Sequence, residues 1–203
     1  MKFAIINGSH RQNAQSAKVA RYIERQLQQQ QPNDQTWRFD LTDNPLPLWD
    51  ESIWDGDPTW QARLGPLSAE LADSDALVVI APEWHGMVPA GLKNFFLMWG
   101  KNELAHKPAL IVAVSSGVGG SYPVAELRMS SSKNNRLLYI PEQLIIRNVE
   151  SVLNDDTEND PEADTYYRER TDYALYVLRR YAESLRELRT DPEIFNAKFK
   201  NGM

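Results

Sequence analysis

The stretch "FAIINGSHRQNAQSAKVARYI", residues 3–23, decides the fold. An isoleucine-rich apolar run from Phe3 stops at Asn7-Gly8-Ser9. It shows no alternation with polar residues, which suits a strand buried on both faces of a parallel sheet. Val19, Ala20, Ile23 and Leu27 then recur on one stripe, predicting a helix over residues 16–29. Between strand and helix lies a polar loop carrying a glycine, small hydroxyls and a single arginine.

The pattern repeats along the chain. "ALVVIAP" at 76–82 and "ALIVAVSS" at 109–116 read as two further buried strands. "TWRFDL" at 36–41 and "EQLIIRN" at 142–148 are more polar, as strands near a sheet edge are. Helical patterns cover 60–73, a segment opening at Pro89, 121–137 and 164–189. Strict alternation of strand and helix predicts an α/β sandwich with right-handed crossovers. Five strands predict a flavodoxin-like three-layer sandwich with a parallel sheet in the order 2-1-3-4-5. Residues 1–190 are expected to form one domain, followed by a tail over 191–203. The proline-rich residues 42–59 read as a long connection, and the acidic residues 154–164 as a solvated loop. Ile194, Phe195 and Phe199 leave two readings of the tail open, frayed or docked.

Composition narrows the chemistry. The chain of 203 residues has a formal net charge of −6 at pH 7, whereas nucleic-acid binding needs a basic face. It contains no cysteine, so thiol nucleophiles, disulfides and cysteine-held metals are excluded. A strand at the very start leaves no room for a signal peptide, and no apolar run approaches the roughly 20 residues that span a bilayer. A cytoplasmic protein without membrane or nucleic-acid partners is expected.

Ligands of open α/β sheets bind beyond the carboxyl ends of the strands, where strand order reverses. That rule selects the loops at 8–16, 83–88 and 115–121. In the first, Gly8 permits a tight turn. Ser9, Gln15 and Ser16 are donors, and Arg11 offers a planar fork suited to phosphate. The start of the following helix adds free amides and a partial positive charge. The alternative is plain helix capping by Ser16 beside a surface arginine. The loop lacks both the lysine ending of a P-loop and G-x-G-x-x-G, which favours a mononucleotide. In "APEWHGMVPAGLKNFFLMW", residues 81–99, Pro82 stops the strand. Gly86 lets backbone approach a ligand, and a flat ring fits against Trp84. Glu83, Trp84 and His85 each have ordinary packing or loop roles as alternatives. The third loop, "SSGVGGSYP", sheds side-chain bulk at Gly117, Gly119 and Gly120.

These loops resemble the NADPH-dependent FMN reductase family, which includes quinone, chromate and azo-dye reductases. "GSHRQNAQS" looks like its G-S-x-R and serine-rich helix start, and "LPLWDE" at 46–51 is similar to L-P-L-Y-D-E. "PEWHGMVPAGLKNFFLMW" is similar to P-E-Y-N-G-S-I-P-G-x-L-K-N-x-x-D-W, and "SSGVGGS" to the family's serine-glycine-glycine turn. The resemblance covers about residues 1–150. It implies that Ser9, Arg11, Gln15 and Ser16 hold an FMN phosphate. It further implies that Pro82, Glu83, Trp84, His85 and Gly86 line the isoalloxazine, and that Ser115, Ser116, Gly117 and Gly120 complete the pocket. Trp84 replaces the family tyrosine, His85 its asparagine, and Ala14 a frequent serine.

The implied activity is hydride transfer from transiently bound NADPH or NADH through FMN to a small acceptor: a quinone, free flavin, azo compound or metal oxyanion. No nucleophilic side chain and no metal is needed, and His85 is the residue to test for protonating an acceptor. The rival reading is an FMN-binding electron carrier or redox sensor without turnover. Family members are commonly dimers or tetramers. Here Phe95 to Trp99 make the helix after Pro89 apolar nearly all round, so one face is expected to pack on a partner copy. The alternative is cover by a neighbouring loop of the same chain.

Overall fold

The computed structural model describes residues 1–155, 158–195 and 197–199. Five strands and their helices run in the order β1 (Lys2–Asn7), α1 (Gln15–Gln30), β2 (Gln35–Asp40), α2 (Pro58–Asp73), β3 (Ala76–Pro82), α3 (Ala90–Leu97), β4 (Pro108–Val114), α4 (Ser121–Met129), β5 (Leu138–Ile146), α5 (Pro161–Ser184) and α6 (Arg186–Thr190). Every strand pair is parallel and the sheet order is β2-β1-β3-β4-β5, the flavodoxin-like order expected from the strand count.

Period-two geometry sends alternate side chains of each strand to opposite faces. Phe3, Ile5, Val78 and Ile80 face α1 and α5, where Val19, Ile23, Leu27, Leu175 and Leu178 meet them. Ile6, Val79 and Ile111 face the other layer, with Leu64, Leu71, Leu92, Phe95 and Leu127. Both faces being covered, β3 and β4 are buried at every position, as their unbroken apolar runs require. Each such side chain contributes about 1.5–3 kcal/mol by leaving water.

Several boundaries differ from the sequence reading. β5 begins at Leu138, not 142: Leu138 and Tyr139 already pair with Pro108 and Ala109, before an irregularity between Ala109 and Ile111. Pro141 falls in that irregularity on the edge strand, where its missing N–H breaks no ladder. Arg128 supports it by donating to the carbonyls of Ile140 and Pro141. α4 ends at Met129 instead of running to 137; Ser131 adopts a left-handed φ of 63° there. The long helix near 164–189 divides at Leu185 into α5 and α6. Its start lies inside the supposed acidic loop. Asp160 caps α5 by accepting from the amides of Glu162 and Ala163, and Asp164 accepts from Leu153 N–H at 2.7 Å. Acidic side chains there complement the helix N-terminus instead of simply meeting solvent. In the tail, the Phe195 ring lies 5.7 Å from that of His106, and Arg136 donates to the Phe199 carbonyl. Residues 196 and 200–203 of the tail, and 156–157 of the acidic segment, lie outside the described residues.

The apolar helix after Pro89 is covered from within. Phe95, Phe96, Met98 and Trp99 are buried, while Leu97 is 62% exposed. The cover is the 42–57 connection, whose Leu46, Trp49 and Ile53 pack on this layer. Asn94 pins it, accepting from Trp49 N–H at 2.8 Å and donating to the Pro47 carbonyl at 2.7 Å. The helix's apolarity therefore does not itself require a partner.

Candidate functional site

The first loop leaves β1 beside β3, at the reversal of strand order. Gly8 lies there without a left-handed φ, contrary to the tight-turn expectation. A Cβ would lie 2.6 Å from Leu92 Cδ2 and 3.0 Å from the Ile80 carbonyl oxygen, so close packing demands the glycine. Ser9 is buried and its Oγ accepts from Arg11 N–H at 3.2 Å. Thr42, which the sequence did not single out, donates to the carbonyls of Ser9 and Arg11 at 2.8 and 3.1 Å. These bonds fix the loop's curvature.

α1 then begins with an unusual N-terminus. Its N-cap is Ala14, which supplies no side-chain bond, and its first turn holds no acidic residue. The orphan amides of a helix start are satisfied by caps, water or ligands. Gln15 is half-buried at the first position. Ser16 is buried at the second, and its Oγ has no hydrogen-bond partner. A buried unpaired hydroxyl costs about 1–3 kcal/mol, so it marks a place where a partner belongs. The exposed Arg11 guanidinium adds a fixed charge nearby. One turn further on, Lys18 donates to the Val149 and Val152 carbonyls and Asn154, and burial lowers its pKa. Arg11, Gln15 and Lys18 share one open cleft of about 370 Å³. Lys18 has all three N–H groups engaged, and Asp40 and Asp43 also line the cleft. The donors that fit a phosphate are therefore the Arg11 guanidinium, the Gln15 amide, the Ser16 hydroxyl and the first amides of α1.

The second loop is a tight hairpin turn. Trp84 and Met87 exchange backbone bonds at 3.1 and 2.9 Å, with His85 at φ 51° and Gly86 at φ 73° between them. Two positive φ values define a type I′ turn, which asparagine, aspartate, histidine and glycine tolerate best. His85 is exposed at the tip of this turn. Pro82 is the buried last residue of β3, and Glu83 N–H donates to the Val114 carbonyl at 2.9 Å. Half-buried Trp84 lies with its ring centroid 5.9 Å from that of His10. Beyond the turn, Val88 N–H donates to Glu126 of α4 at 2.7 Å. Burial pushes the Glu126 carboxyl up, but Lys93 and this amide hold it below its usual range.

In the third loop, the Glu83 carboxylate accepts from Gly120 N–H, joining second and third loops directly. Gly120 caps α4 at φ 103°, and a Cβ there would lie 2.4 Å from Ile145 Cγ2. A Cβ on Gly119 would lie 2.9 Å from both Glu83 carboxylate oxygens. Thus two of the three glycines serve packing, and only Gly117 faces open space. Ser115 Oγ accepts from Gly117 N–H at 3.3 Å, while Ser116 is exposed. Arg147, at the exit of β5, holds the loop from behind by donating from Nε to the Gly119 carbonyl at 2.9 Å. His10, Thr42 and Arg147 are the structural members that sequence reasoning missed.

All thirteen expected residues thus lie on three loops or on the helix and strand ends that border them, at one end of the sheet. A family model described as NADPH-dependent FMN reductase matches residues 1–151. The chain is 27% identical over 146 residues to an NADPH azoreductase of Bacillus sp. (strain OY1-2), covering 72% of this chain and 76% of that protein. It is 29% identical over 126 residues to a 2-hydroxy-1,4-benzoquinone reductase of Burkholderia sp., covering 60% of this chain and 64% of that one. Among solved structures, a flavoenzyme NAD(P)H:(acceptor) oxidoreductase from Paracoccus denitrificans superposes with a TM-score of 0.70 at 20% identity. That alignment covers 89% of this chain and 98% of its counterpart, a likeness of fold.

Proposed function

Because the chain belongs to the NADPH-dependent FMN reductase family, we propose that it passes hydride from NAD(P)H through bound FMN to a small acceptor. Quinones, azo compounds, free flavin and metal oxyanions are the candidate acceptors, the first two being those named in its relatives. The observation that carries the reading is the buried, unpartnered Ser16 hydroxyl at the uncapped start of α1.

FMN bound there supplies the two-electron chemistry, while the protein positions and tunes it. Arg11, Ser9, Gln15, Ser16 and the first amides of α1 hold the phosphate. Trp84 walls the ring, the His85–Gly86 turn offers backbone groups, and Gly117 leaves room for a planar edge beside Ser115 and Ser116. Glu83 and Gly120 act chiefly on each other, bracing the pocket. No side chain needs to act as nucleophile or metal ligand. In this reading residues 1–190 form one flavin-binding domain and the protein is cytoplasmic; among the described residues no helix is long and apolar enough to cross a membrane.

A homodimer or homotetramer belongs to the same proposal. It draws on an apolar cleft of about 1100 Å³ between α3 and α4, bordered by Trp54, Leu97 and Met129, which are 77%, 62% and 84% exposed. Light scattering on the wild type and on Leu97→Glu tests this, a monomeric wild type sinking it. For the activity, apoprotein is titrated with FMN and NADPH oxidation is followed with a quinone. Saturable uptake and many turnovers are expected. Protein that takes up no FMN overturns the reading, and uptake with a single turnover reduces it to an electron carrier.

A further inference from the structure

His10 stands between Ser9 and Arg11 in the first loop, yet its side chain belongs to the second. Its ring centroid lies 5.9 Å from that of Trp84, at a tilt of 47°. It is seated on the backbone of Gly91, in the first turn of α3. A Cβ there would fall 2.0 Å from His10 Cε1 and 2.2 Å from Nε2. The imidazole thus occupies the volume that any other residue at 91 would fill. The motif quoted above has glycine directly after the proline; here Ala90 takes that position and glycine comes one residue later, under the imidazole.

The seat is set from the first loop. The Arg11 N–H bond to Ser9 Oγ and the Thr42 bonds to the carbonyls of Ser9 and Arg11 fix the backbone on either side of His10. Any change in that loop's backbone would be passed to the imidazole, whose ring lies against Trp84. Glu83 joins the second and third loops; the His10–Trp84 contact is the corresponding side-chain link between first and second.

We propose that His10 is a positioning residue that couples the phosphate-binding loop to the ring-binding loop, so that the two ends of one flavin mononucleotide are recognised together. This rests on the FMN reading above. Residues in direct contact commonly couple by an amount equal to a several-fold change in affinity.

The test compares FMN with riboflavin, which has the ring but no phosphate, by fluorescence titration of apoprotein. Wild type prefers FMN, and His10→Ala reduces that preference about fivefold. Gly91→Ala keeps the imidazole, evicts it from its seat and improves helix propensity, so it tests the link without threatening the fold. It is expected to reproduce the loss. Equal weakening of both flavins, or no change in either, overturns the coupling. A second measurement uses inorganic phosphate alone on apoprotein. The indole resonance assigned to Trp84, by its absence in Trp84→Phe, shifts in wild type and stays still in His10→Ala. A resonance that stays still in wild type, or moves equally in both, overturns the proposal. Protein binding neither flavin sinks the cofactor reading, while the phosphate titration still decides the link.

Discussion

Glu83 and Gly120 are 37 residues apart in the chain, and the carboxylate of the first accepts the backbone N–H of the second. The same carboxylate fills the space where Gly119 would carry a side chain. A charge-assisted bond of this kind is worth about 1.5–3 kcal/mol, and breaking it loosens the loop that should support the flavin edge, leaving Arg147 to hold it at Gly119. Glu83→Ala is expected to weaken FMN binding about tenfold, with Glu83→Gln milder because it keeps an acceptor. Gly119→Ala should cost stability in wild type and much less in Glu83→Ala, where its methyl finds room. A double-mutant cycle by urea denaturation checks this, and strict additivity would count against the brace.

Ser16→Ala should act with opposite signs on two measurements. In apoprotein it removes a buried hydroxyl without a partner. That relieves roughly 1 kcal/mol, and Tm should rise by about 2–4 °C. With FMN the hydroxyl becomes a donor to a charged phosphate, so the variant should bind about tenfold more weakly. Scanning calorimetry and flavin titration measure the two effects. An apoprotein destabilised by the change would show that the hydroxyl already has a partner.

Legibility in the sequence follows the range of the interaction responsible. β3 and β4 announce themselves because burial on both faces leaves no polar residue in them. The three loops are equally plain, since glycine and hydroxyl clusters stand at the ends of those runs. The start of β5 was hidden by Pro141, an unfavourable strand residue that an edge irregularity accommodates. Gly8 stands out in the sequence as a turn residue, but the demand for it comes from Leu92 and Ile80, far along the chain. His10, Thr42 and Arg147 had no local signal at all. Each acts on groups that only the folded sheet brings near, as Arg147 does on Gly119 across 28 residues.

Asn94 carries the cover over α3. It is buried and holds both the Trp49 N–H and the Pro47 carbonyl. Asn94→Ala leaves both groups without that partner, a loss of about 3 kcal/mol, or roughly 6–12 °C in Tm. The 42–57 connection should then lift, baring Phe96 and Trp99. Faster proteolysis within 42–57 and increased binding of a hydrophobic dye are the expected signs. Unchanged proteolysis would mean that the apolar contacts of Leu46, Trp49 and Ile53 hold the segment alone.

Lys107 gives the protein a rise in stability on the alkaline side. Its Nζ is buried against the end of α2, donating to the carbonyls of Leu71 and Ala72. Burial first, and then the Arg189 charge, lower its pKa to about 8. A neutral amine keeps two N–H groups for those two carbonyls, so losing the proton sheds a buried charge and no bond. Between about pH 8 and 10 the unfolded chain still holds this proton while the folded chain has released it. The unfolded state then binds more protons, and stability rises with pH, by at most about 3 kcal/mol. Lys18, also lowered by burial, adds in the same direction. Above pH 10 the sign reverses, since burial raises Tyr22 to about 12 and raises Tyr139 as well. Those phenols stay protonated in the folded state while the unfolded chain ionises. Urea denaturation at pH 7, 8, 9 and 10 should therefore show a climb in wild type that Lys107→Met largely flattens. A wild-type stability that falls steadily over this range would place the Lys107 proton on the folded protein throughout.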